Sequence, residues 1–213
     1  MFTGIIQGFF PLVEMTRKPG LFSYSIDFHP EVLKELRIGA SISVNGVCQS
    51  VVKIVGTRVG FDAIQETLNC TTVQSFQLGQ CVNIERAAKW GDEIGGHFLS
   101  GHVVGRAQIL KIESSENNRV FTFQCLSEWM KYLFSKGFIA LDGVSLTLGD
   151  VNPQGTCKVH LIPETLRVTT FGHLQEGDWV NVEIDSQTQA IVETVNRILL
   201  SEPYFEIASR SKR

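Results

Sequence analysis

A cysteine and a serine follow a tight-turn signal early in the chain. The run at positions 43–51 reads SVNGVCQSV, so Cys48 and Ser50 lie two and four residues after Gly46. Asn-Gly favours a hairpin because both residues tolerate positive φ, and alternate residues of the following strand share one face. A thiol with a pKa of about 8.5 is only slightly ionised at neutral pH, yet it is a good nucleophile. Cys48 is therefore a candidate nucleophile, although a free cysteine is more commonly a small buried hydrophobe.

The same pattern recurs 97 residues later with a hydroxyl in place of the thiol. Positions 140–148 read ALDGVSLTL, which places Ser145 and Thr147 two and four residues after Gly143. Three further blocks recur in the same order: TGIIQG at 3–8 as SGHVVG at 100–105, ETL at 66–68 and again at 164–166, and VNIE at 82–85 as VNVE at 180–183. Chance similarity would not keep this order, so the repeats predict a duplicated domain.

The segment between the two copies carries glycines and two histidines. Positions 91–102 read GDEIGGHFLSGH, which includes His97 and His102. This spacing matches no common zinc pattern, so a metal site is not expected. The glycines do not form GxGxxG followed by a long helix, which argues against a dinucleotide site. They would instead let a flat ring approach the backbone at Gly101, beside His102.

Short alternating runs bounded by turn signals predict a small antiparallel barrel in each half. One short helix is expected per half, at 29–37 in the first and, capped by Ser127, up to 133 or 134 in the second. Strands are expected in four stretches of the first half: 2–13 (bent at its glycines), 22–26, 57–61 and 82–85.

The tail has no counterpart in the first half. Its apolar residues and one threonine lie on one helical stripe: Ala190, Ile191, Thr194, Val195, Ile198 and Leu199. The stripe could pack on its own barrel or mediate self-association, and we favour the second. Pro203 is expected to end the helix, and residues 208–213 are expected to be frayed.

Composition narrows the class of protein. The chain has 213 residues and a net charge of −3, with a pI near 6.0, which gives no electrostatic footprint for nucleic acid or an anionic membrane. No run approaches the roughly 18 apolar residues of a membrane span, and the first residues do not resemble a signal peptide. Five cysteines without a CxxC pair are typical of a cytoplasmic protein with reduced thiols.

Five motifs occur in order along the chain: MFTGII at 1–6, SISVNGVC at 41–48, GGHFLSGH at 95–102, LDGVSLTL at 141–148 and HLIPETL at 160–166. Together they resemble the riboflavin synthase family of the α-chain type over essentially residues 1–200. The resemblance implies an all-β fold of two tandem, similar six-stranded antiparallel barrels, each a lumazine-binding domain, plus a C-terminal α-helix. It implies domains at 1–97 and 98–186, and a trimerisation helix and tail at 187–213.

The resemblance also implies a reaction. Two molecules of 6,7-dimethyl-8-ribityllumazine exchange a four-carbon unit, which gives riboflavin and 5-amino-6-(ribitylamino)uracil. No cofactor or metal is required. The chain is expected to be a homotrimer whose site lies between the N-terminal barrel of one chain and the C-terminal barrel of a neighbour, so that two similar pockets hold two identical substrates.

Two sets of binding residues follow from the matched motifs. The N-terminal pocket would use Gly4, Ile5, Ile6, Cys48, Gln49, Ser50, Asp62, Ala63, Ile64, Gln65, Glu66 and Thr67. The C-terminal pocket would use Gly101, His102, Val103, Lys136, Ser145, Leu146, Thr147, His160, Leu161, Ile162, Pro163, Glu164 and Thr165. Backbone groups of these extended runs would bind the pyrimidine edges. Gln49 replaces the family's usual apolar residue, which leaves the fit of the N-terminal ring open.

Five residues would carry the chemistry. His102 would remove a proton from the 7-methyl group of one lumazine, because an imidazole titrates near neutral pH. Cys48 would add to carbon 7 of the other lumazine or position a water that does so. Ser145 would hydrogen-bond the partner ring, Phe2 would close over the site and Asp185 would assist proton transfer. Stacking of the two rings in reacting geometry would supply much of the acceleration.

Two other functions compete with catalysis. Lumazine proteins share the fold and bind lumazine or flavin without turning it over, and a trimerising module that binds nothing is a third possibility. Both are less favoured because the polar set that such relatives lose is present here: Cys48, His97, His102, Lys136, Ser145 and Thr147.

Overall fold

The first half of the chain closes into a six-stranded antiparallel barrel in the computed structural model, which describes residues 1–200. Its strands are β1 (Gly8–Lys18), β2 (Leu21–Asp27), β3 (Ser41–Val44), β4 (Val47–Val55), β5 (Arg58–Ile64) and β6 (Cys81–Arg86). They close in the order β1-β2-β5-β4-β3-β6. Helix α1 (Pro30–Leu33) follows β2, and α2 (Gln65–Cys70) with a 3₁₀ turn (Thr72–Ser75) follows β5.

The second half repeats this barrel with the same topology. Its strands are β7 (Gly105–Ser114), β8 (Arg119–Gln124), β9 (Phe138–Leu141), β10 (Val144–Asn152), β11 (Thr156–Leu161) and β12 (Trp179–Ile184). A 3₁₀ helix (Ser127–Tyr132) follows β8, while α3 (Pro163–Val168) and a 3₁₀ turn (Thr170–Gly172) follow β11. Helix α4 (Ser186–Leu200) ends the described part of the chain. The predicted fold class, two tandem six-stranded barrels plus a C-terminal helix, is confirmed.

Strand β4 shows how the alternation sorts side chains between the core and the outer face. Val47, Gln49 and Val51 are buried, whereas Cys48 is half-buried and Ser50 is exposed. Strand β10 repeats this pattern position by position. The prediction that the thiol and hydroxyls after each turn share one face is therefore correct, and that face is the outside of the barrel.

The residues before each first strand cross to the other barrel instead of extending that strand. In the first crossing segment, residues 2–7, Ile6 is buried in the core of the second barrel. In the second crossing segment, residues 99–104, Val103 packs against the core of the first barrel. The expected strand from residue 2 is therefore wrong before β1, because Gly4, with φ of 77°, turns the chain away from its own sheet.

The expected helix over 29–37 ends early, at Leu33. Glu35 takes a φ of 60°, which no α-helix accommodates. The bend lets Leu33 and Leu36 both pack against the core of the first barrel. Helix α1 therefore ends where these two side chains can both be buried, although the following residues have the propensity to continue the helix.

The helix expected after Ser127 is a 3₁₀ helix, and the Ser127 side chain does not cap it. The N-cap position is Leu126, which makes no side-chain hydrogen bond. Trp129 and Tyr132, three residues apart, are both buried against the second barrel. A 3₁₀ helix places residues i and i+3 on one side, so this packing favours it over an α-helix. The expectation of one short helix per half was also wrong, since α2 and α3 were not predicted.

Helix α4 packs on its own barrel through a face other than the predicted stripe. Val192 packs against the core of the second barrel, and the Glu193 carboxylate accepts a hydrogen bond from Lys131 at 2.5 Å. Ile191 and Val195 of the predicted stripe are exposed. The expected helix end at Pro203 and the expected frayed tail lie outside the described residues. Within residues 1–200, no helix has both the length and the apolar character needed to cross a membrane.

The tips of the β3–β4 and β9–β10 hairpins meet where the two barrels touch. Asn45, Gly46, Asp142 and Gly143 all have positive φ, as a type I′ turn requires. A Cβ atom on Gly46 would lie 2.6 Å from the backbone nitrogen of Gly143. Asn-Gly and Asp-Gly therefore make the hairpins and also allow the two barrels to approach closely.

Asparagine side chains join the two hairpin tips. Asn83 of the first barrel donates its side-chain amide to the Asp142 carbonyl at 3.1 Å, and Asn181 of the second donates to the Asn45 carbonyl at 2.8 Å. The Asn45 side chain in turn accepts from the backbone of Asn83, and that of Asp142 accepts from Asn181. The repeated VN dipeptide is therefore used at the contact between the barrels.

Asp142 is the one acidic member of this network, and its twin Asn45 is neutral. Burial raises the pKa of Asp142 to about 8, although the backbone N–H of Asn181 opposes the shift. The folded state therefore keeps a proton that an unfolded aspartic acid, with a pKa of about 3.9, has lost. Folding stability from this group should fall as pH rises from about 4 to about 8.

Replacing Asp142 by asparagine should remove this loss of stability with pH. We expect the melting temperature of the variant to exceed that of the wild type by more at about pH 8.5 than at about pH 5.5. Between these two pH values the variant should gain free energy of unfolding relative to the wild type on the order of 3 kcal/mol. Thermal melts at a series of pH values measure this difference. Asp150→Asn, an exposed control, should melt like the wild type at every pH. A difference in melting temperature between Asp142→Asn and the wild type that stays the same at every pH would contradict the expectation.

Candidate active site

Cys48 lies on the outer face of β4, beside a small apolar cluster. Phe2, Leu99 and Ala140 are buried together, and the half-buried Cys48 packs against them. Phe2 and Leu99 form a bridge between the two crossing segments through reciprocal backbone hydrogen bonds of 2.8 and 3.0 Å. The structure thus places Phe2 near Cys48, but its side chain is only 1% exposed and does not cover an open pocket.

Gly101 holds the backbone of Cys48. The Cys48 N–H donates to the Gly101 carbonyl at 2.9 Å. A Cβ atom on Gly101 would lie 2.6 Å from the Cβ of Cys48, and the φ of Gly101 is +78°, so only glycine fits here. His102 follows directly and is exposed. The second crossing segment therefore brings His102 to the same side of the first barrel as the thiol.

Gly4 holds the backbone of Ser145 in the same way. The Ser145 N–H donates to the Gly4 carbonyl at 2.9 Å, and a Cβ atom on Gly4 would lie 2.5 Å from the Ser145 Cβ. The sequence-based grouping of Gly4, Ile5 and Ile6 with Cys48 is therefore wrong within one chain. Each crossing segment contacts a strand of the other barrel, so the two halves exchange these segments.

Ser145 also contacts a histidine to which sequence reasoning gave no role. The His97 Nδ1 lies 2.6 Å from the Ser145 Oγ, and its ring stacks on Phe138 with centroids 4.9 Å apart. Burial lowers the pKa of His97, an effect that the Asp185 charge opposes. A neutral imidazole at this distance can accept a proton from the hydroxyl. The two histidines of GGHFLSGH thus differ in their surroundings: His97 contacts Ser145, whereas His102 is exposed and follows Gly101, which contacts Cys48.

Asp185 directly precedes helix α4. Its carboxylate accepts from the backbone N–H and the hydroxyl of Thr188 at 2.9 and 2.7 Å. Partial burial acts to raise the pKa of Asp185, but the hydrogen bonds from Thr188 outweigh it and hold the pKa below its usual value. The carboxylate therefore favours its ionised form.

The Gln49 side chain lies inside the first barrel. It is 5% exposed, and the Tyr24 hydroxyl donates to its Oε1 at 3.3 Å. Its twin Leu146 is buried in the second barrel. The departure from the usual apolar residue therefore lies in the barrel core and not on the outer face that carries the Cys48 side chain.

The remaining predicted residues occupy equivalent places in the two halves. Asp62 is exposed on β5 and accepts from the Ser23 hydroxyl at 2.6 Å. Each predicted run, 62–67 and 160–165, is a strand end followed by the start of a helix. The outward members of the predicted sets are exposed or half-buried: Ser50, Ile64, Gln65, Glu66, Thr67, Lys136, Thr147, His160, Ile162, Pro163, Glu164 and Thr165. Ala63 and Leu161 point into the cores.

No metal cluster accompanies these residues. Among residues 1–200, no three histidine, cysteine, aspartate or glutamate side chains lie close enough together to hold an ion. What the geometry offers is two similar outer faces, one with a thiol and one with a hydroxyl–imidazole pair. Such a pair of faces can hold two similar small molecules.

Both halves match one domain family. Residues 3–87 and 100–185 each match the lumazine binding domain. The solved structure of LumP complexed with riboflavin superimposes with a TM-score of 0.81 at 27% identity, over 87% of this chain and 100% of that chain. LumP complexed with 6,7-dimethyl-8-(1'-D-ribityl) lumazine gives a TM-score of 0.80 at 26% identity, with the same coverage. Fold and site thus define a tandem lumazine-binding protein.

Sequence relatives narrow this class. The chain is 49% identical over 200 residues to riboflavin synthase of Escherichia coli (strain K12), which covers 93% of both chains. It is 45% identical over 201 residues to riboflavin synthase of Chlamydia pneumoniae, over 94% of this chain and 98% of that one. The chain therefore belongs to the riboflavin synthase family, enzymes that transfer a four-carbon unit.

Proposed function

We propose that this chain converts two molecules of 6,7-dimethyl-8-ribityllumazine into riboflavin and 5-amino-6-(ribitylamino)uracil. One observation carries the proposal: the crossing segments build two equivalent faces that differ in their reactive group, Cys48 in one and Ser145 in the other. A dismutation needs two sites that bind the same molecule and treat it differently. A duplicated domain with one altered residue type meets that need.

The proposal assigns roles according to the contacts of each group. Cys48 adds to carbon 7 of the ring held on the first barrel, or positions the water that does so, and His102 is the nearby base for the 7-methyl proton. Ser145 hydrogen-bonds the ring on the second barrel, and His97 sets the direction of its hydroxyl proton. Asp185 supports His97 through its charge. Phe2 supports the wall behind Cys48.

The proposal includes a homotrimer with domains at 1–97 and 98–186 and an association helix from residue 187. The exposed apolar residues of α4 favour association through this helix. The outer faces that carry Cys48 and Ser145 belong to different barrels of one chain, so the N-terminal face of one chain would meet the C-terminal face of a neighbour. Five free thiols favour a cytoplasmic location.

The decisive experiment supplies the proposed substrate alone. Purified protein incubated anaerobically with 6,7-dimethyl-8-ribityllumazine, without metal or nucleotide, should form one riboflavin for every two lumazines consumed, because the second lumazine is the four-carbon donor. Absorbance and chromatography measure both compounds. Riboflavin formed in any other ratio would contradict the dismutation.

A second function, lumazine binding without catalysis, is favoured by the similarity to LumP. The same incubation separates the two functions. Bound, fluorescent and unconverted lumazine would select the binding protein over the enzyme.

A further inference from the structure

Two buried glutamates hold the crossing segments. Glu183, on β12, is 5% exposed, and its Oε1 accepts from the backbone N–H and the hydroxyl of Ser100, both at 2.7 Å. Its Oε2 accepts from the Gly101 N–H at 3.0 Å. Three donors thus meet one carboxylate, and the hydroxyl of Ser100 also accepts from the His102 N–H at 3.2 Å.

Glu85, on β6, repeats this arrangement in the other half. It is 3% exposed, and its Oε1 accepts from the backbone N–H and hydroxyl of Thr3 at 2.6 and 2.8 Å. Its Oε2 accepts from the Gly4 N–H at 3.0 Å. The two carboxylates occupy the last position of the repeated VNIE and VNVE blocks, whose function the reaction does not otherwise explain.

Each held glycine touches the reactive residue of the other barrel. The Gly101 carbonyl accepts from the Cys48 N–H and the Gly4 carbonyl accepts from the Ser145 N–H, both at 2.9 Å. The glycines have almost no room to move toward these residues, as the 2.6 and 2.5 Å approaches of an added Cβ demonstrate. A shift of either segment would therefore move the reactive side chain or open the space beside it.

We propose that Glu183 and Glu85 are positioning residues of the reaction: Glu183 holds the segment that orients Cys48 and His102, and Glu85 holds the segment that orients Ser145. A carboxylate suits this role because it accepts from several N–H and O–H donors at once, and these charge-assisted hydrogen bonds are the stronger kind. A glutamine would place an amide donor against one of those donors. The kinetic part of this inference rests on the proposed function, while the effect on Cys48 does not.

The test compares Glu183→Gln with Glu85→Gln. Both variants lose equivalent hydrogen bonds, so the melting temperatures of both should fall by similar amounts. Only Glu183→Gln should expose Cys48, and we expect its alkylation by iodoacetamide, measured on the Cys48 peptide by mass spectrometry, to be several-fold faster than in the wild type. Glu85→Gln should stay within about twofold of the wild type.

Turnover supplies the second readout. Both variants should lose about 10- to 100-fold in kcat with little change in KM, because a small misplacement of reacting groups has that effect. Glu113→Gln, an exposed glutamate paired with Lys111, should match the wild type in melting, alkylation and turnover. Ser100→Ala removes both hydrogen bonds of the Ser100 hydroxyl, the one it donates to Glu183 and the one it accepts from the His102 N–H, and keeps the carboxylate. It replaces Glu183→Gln if that variant does not fold, and the same faster Cys48 alkylation is expected.

Equal Cys48 alkylation in the two glutamate variants, or unchanged kcat in both, would overturn the inference. A wild-type protein that forms no riboflavin would overturn the proposed function instead. In that case the alkylation rates alone would still decide whether Glu183 holds the segment against Cys48.

Discussion

Replacing Cys48 by serine is expected to lower turnover by about 100-fold or more while lumazine affinity stays nearly unchanged. A serine hydroxyl is far less ionised at neutral pH than a thiol, so the nucleophile weakens, while the side chain keeps its shape and becomes slightly smaller. The residue is half-buried on the outer face of β4 and held through its backbone by Gly101. The substitution should therefore leave the geometry of the strand intact.

Single-turnover kinetics and fluorescence titration with 6,7-dimethyl-8-ribityllumazine measure the two quantities separately. Cys81→Ser is the matched control, because Cys81 is also half-buried and free but lies on β6. It should keep turnover within about twofold of the wild type. Unchanged turnover in Cys48→Ser would remove the nucleophile role, and a large loss of affinity would mean that the thiol mainly binds the ring.

Removal of residues 187–213 is expected to give monomers with turnover lowered by about 100-fold or more. The described part of this segment, α4, exposes Ile191 and Val195 in the single chain. Their apolar area favours association. If the site forms between two chains, a monomer holds its two substrates on separate outer faces. The two rings then cannot stack, and the high effective concentration of one substrate at the other is lost.

Analytical ultracentrifugation and the riboflavin assay measure the two effects together. Because truncation also removes the contact of Glu193 with Lys131, Ile191→Asp provides a milder variant that keeps the helix. It should dissociate in the same way, whereas Gln187→Asp, an exposed control at the start of α4, should not. A fully active monomer in either case would contradict a site shared between chains.

Local patterns account for what the sequence predicted correctly. Asn45-Gly46 and Asp142-Gly143 form the hairpins because both residues of each pair tolerate positive φ. Alternation places Cys48 on the outer face because side chains of a strand point to opposite sides in turn. The helix ends were predicted poorly. At Leu33 and at Ser127–Tyr132, burial against a barrel decided the conformation, and local propensity does not report burial.

The sequence alone therefore determined the duplication, the two barrels, the final helix and the chemical type of each reactive position. Only the tertiary structure decided that the crossing segments are exchanged, so that Gly4 lies against Ser145 and Gly101 against Cys48. It also decided the pairing of His97 with Ser145. The physical reason is that repeat patterns and periodicity describe each half by itself. These contacts depend on how the two closed barrels pack against each other, and on the close approach that glycine permits there.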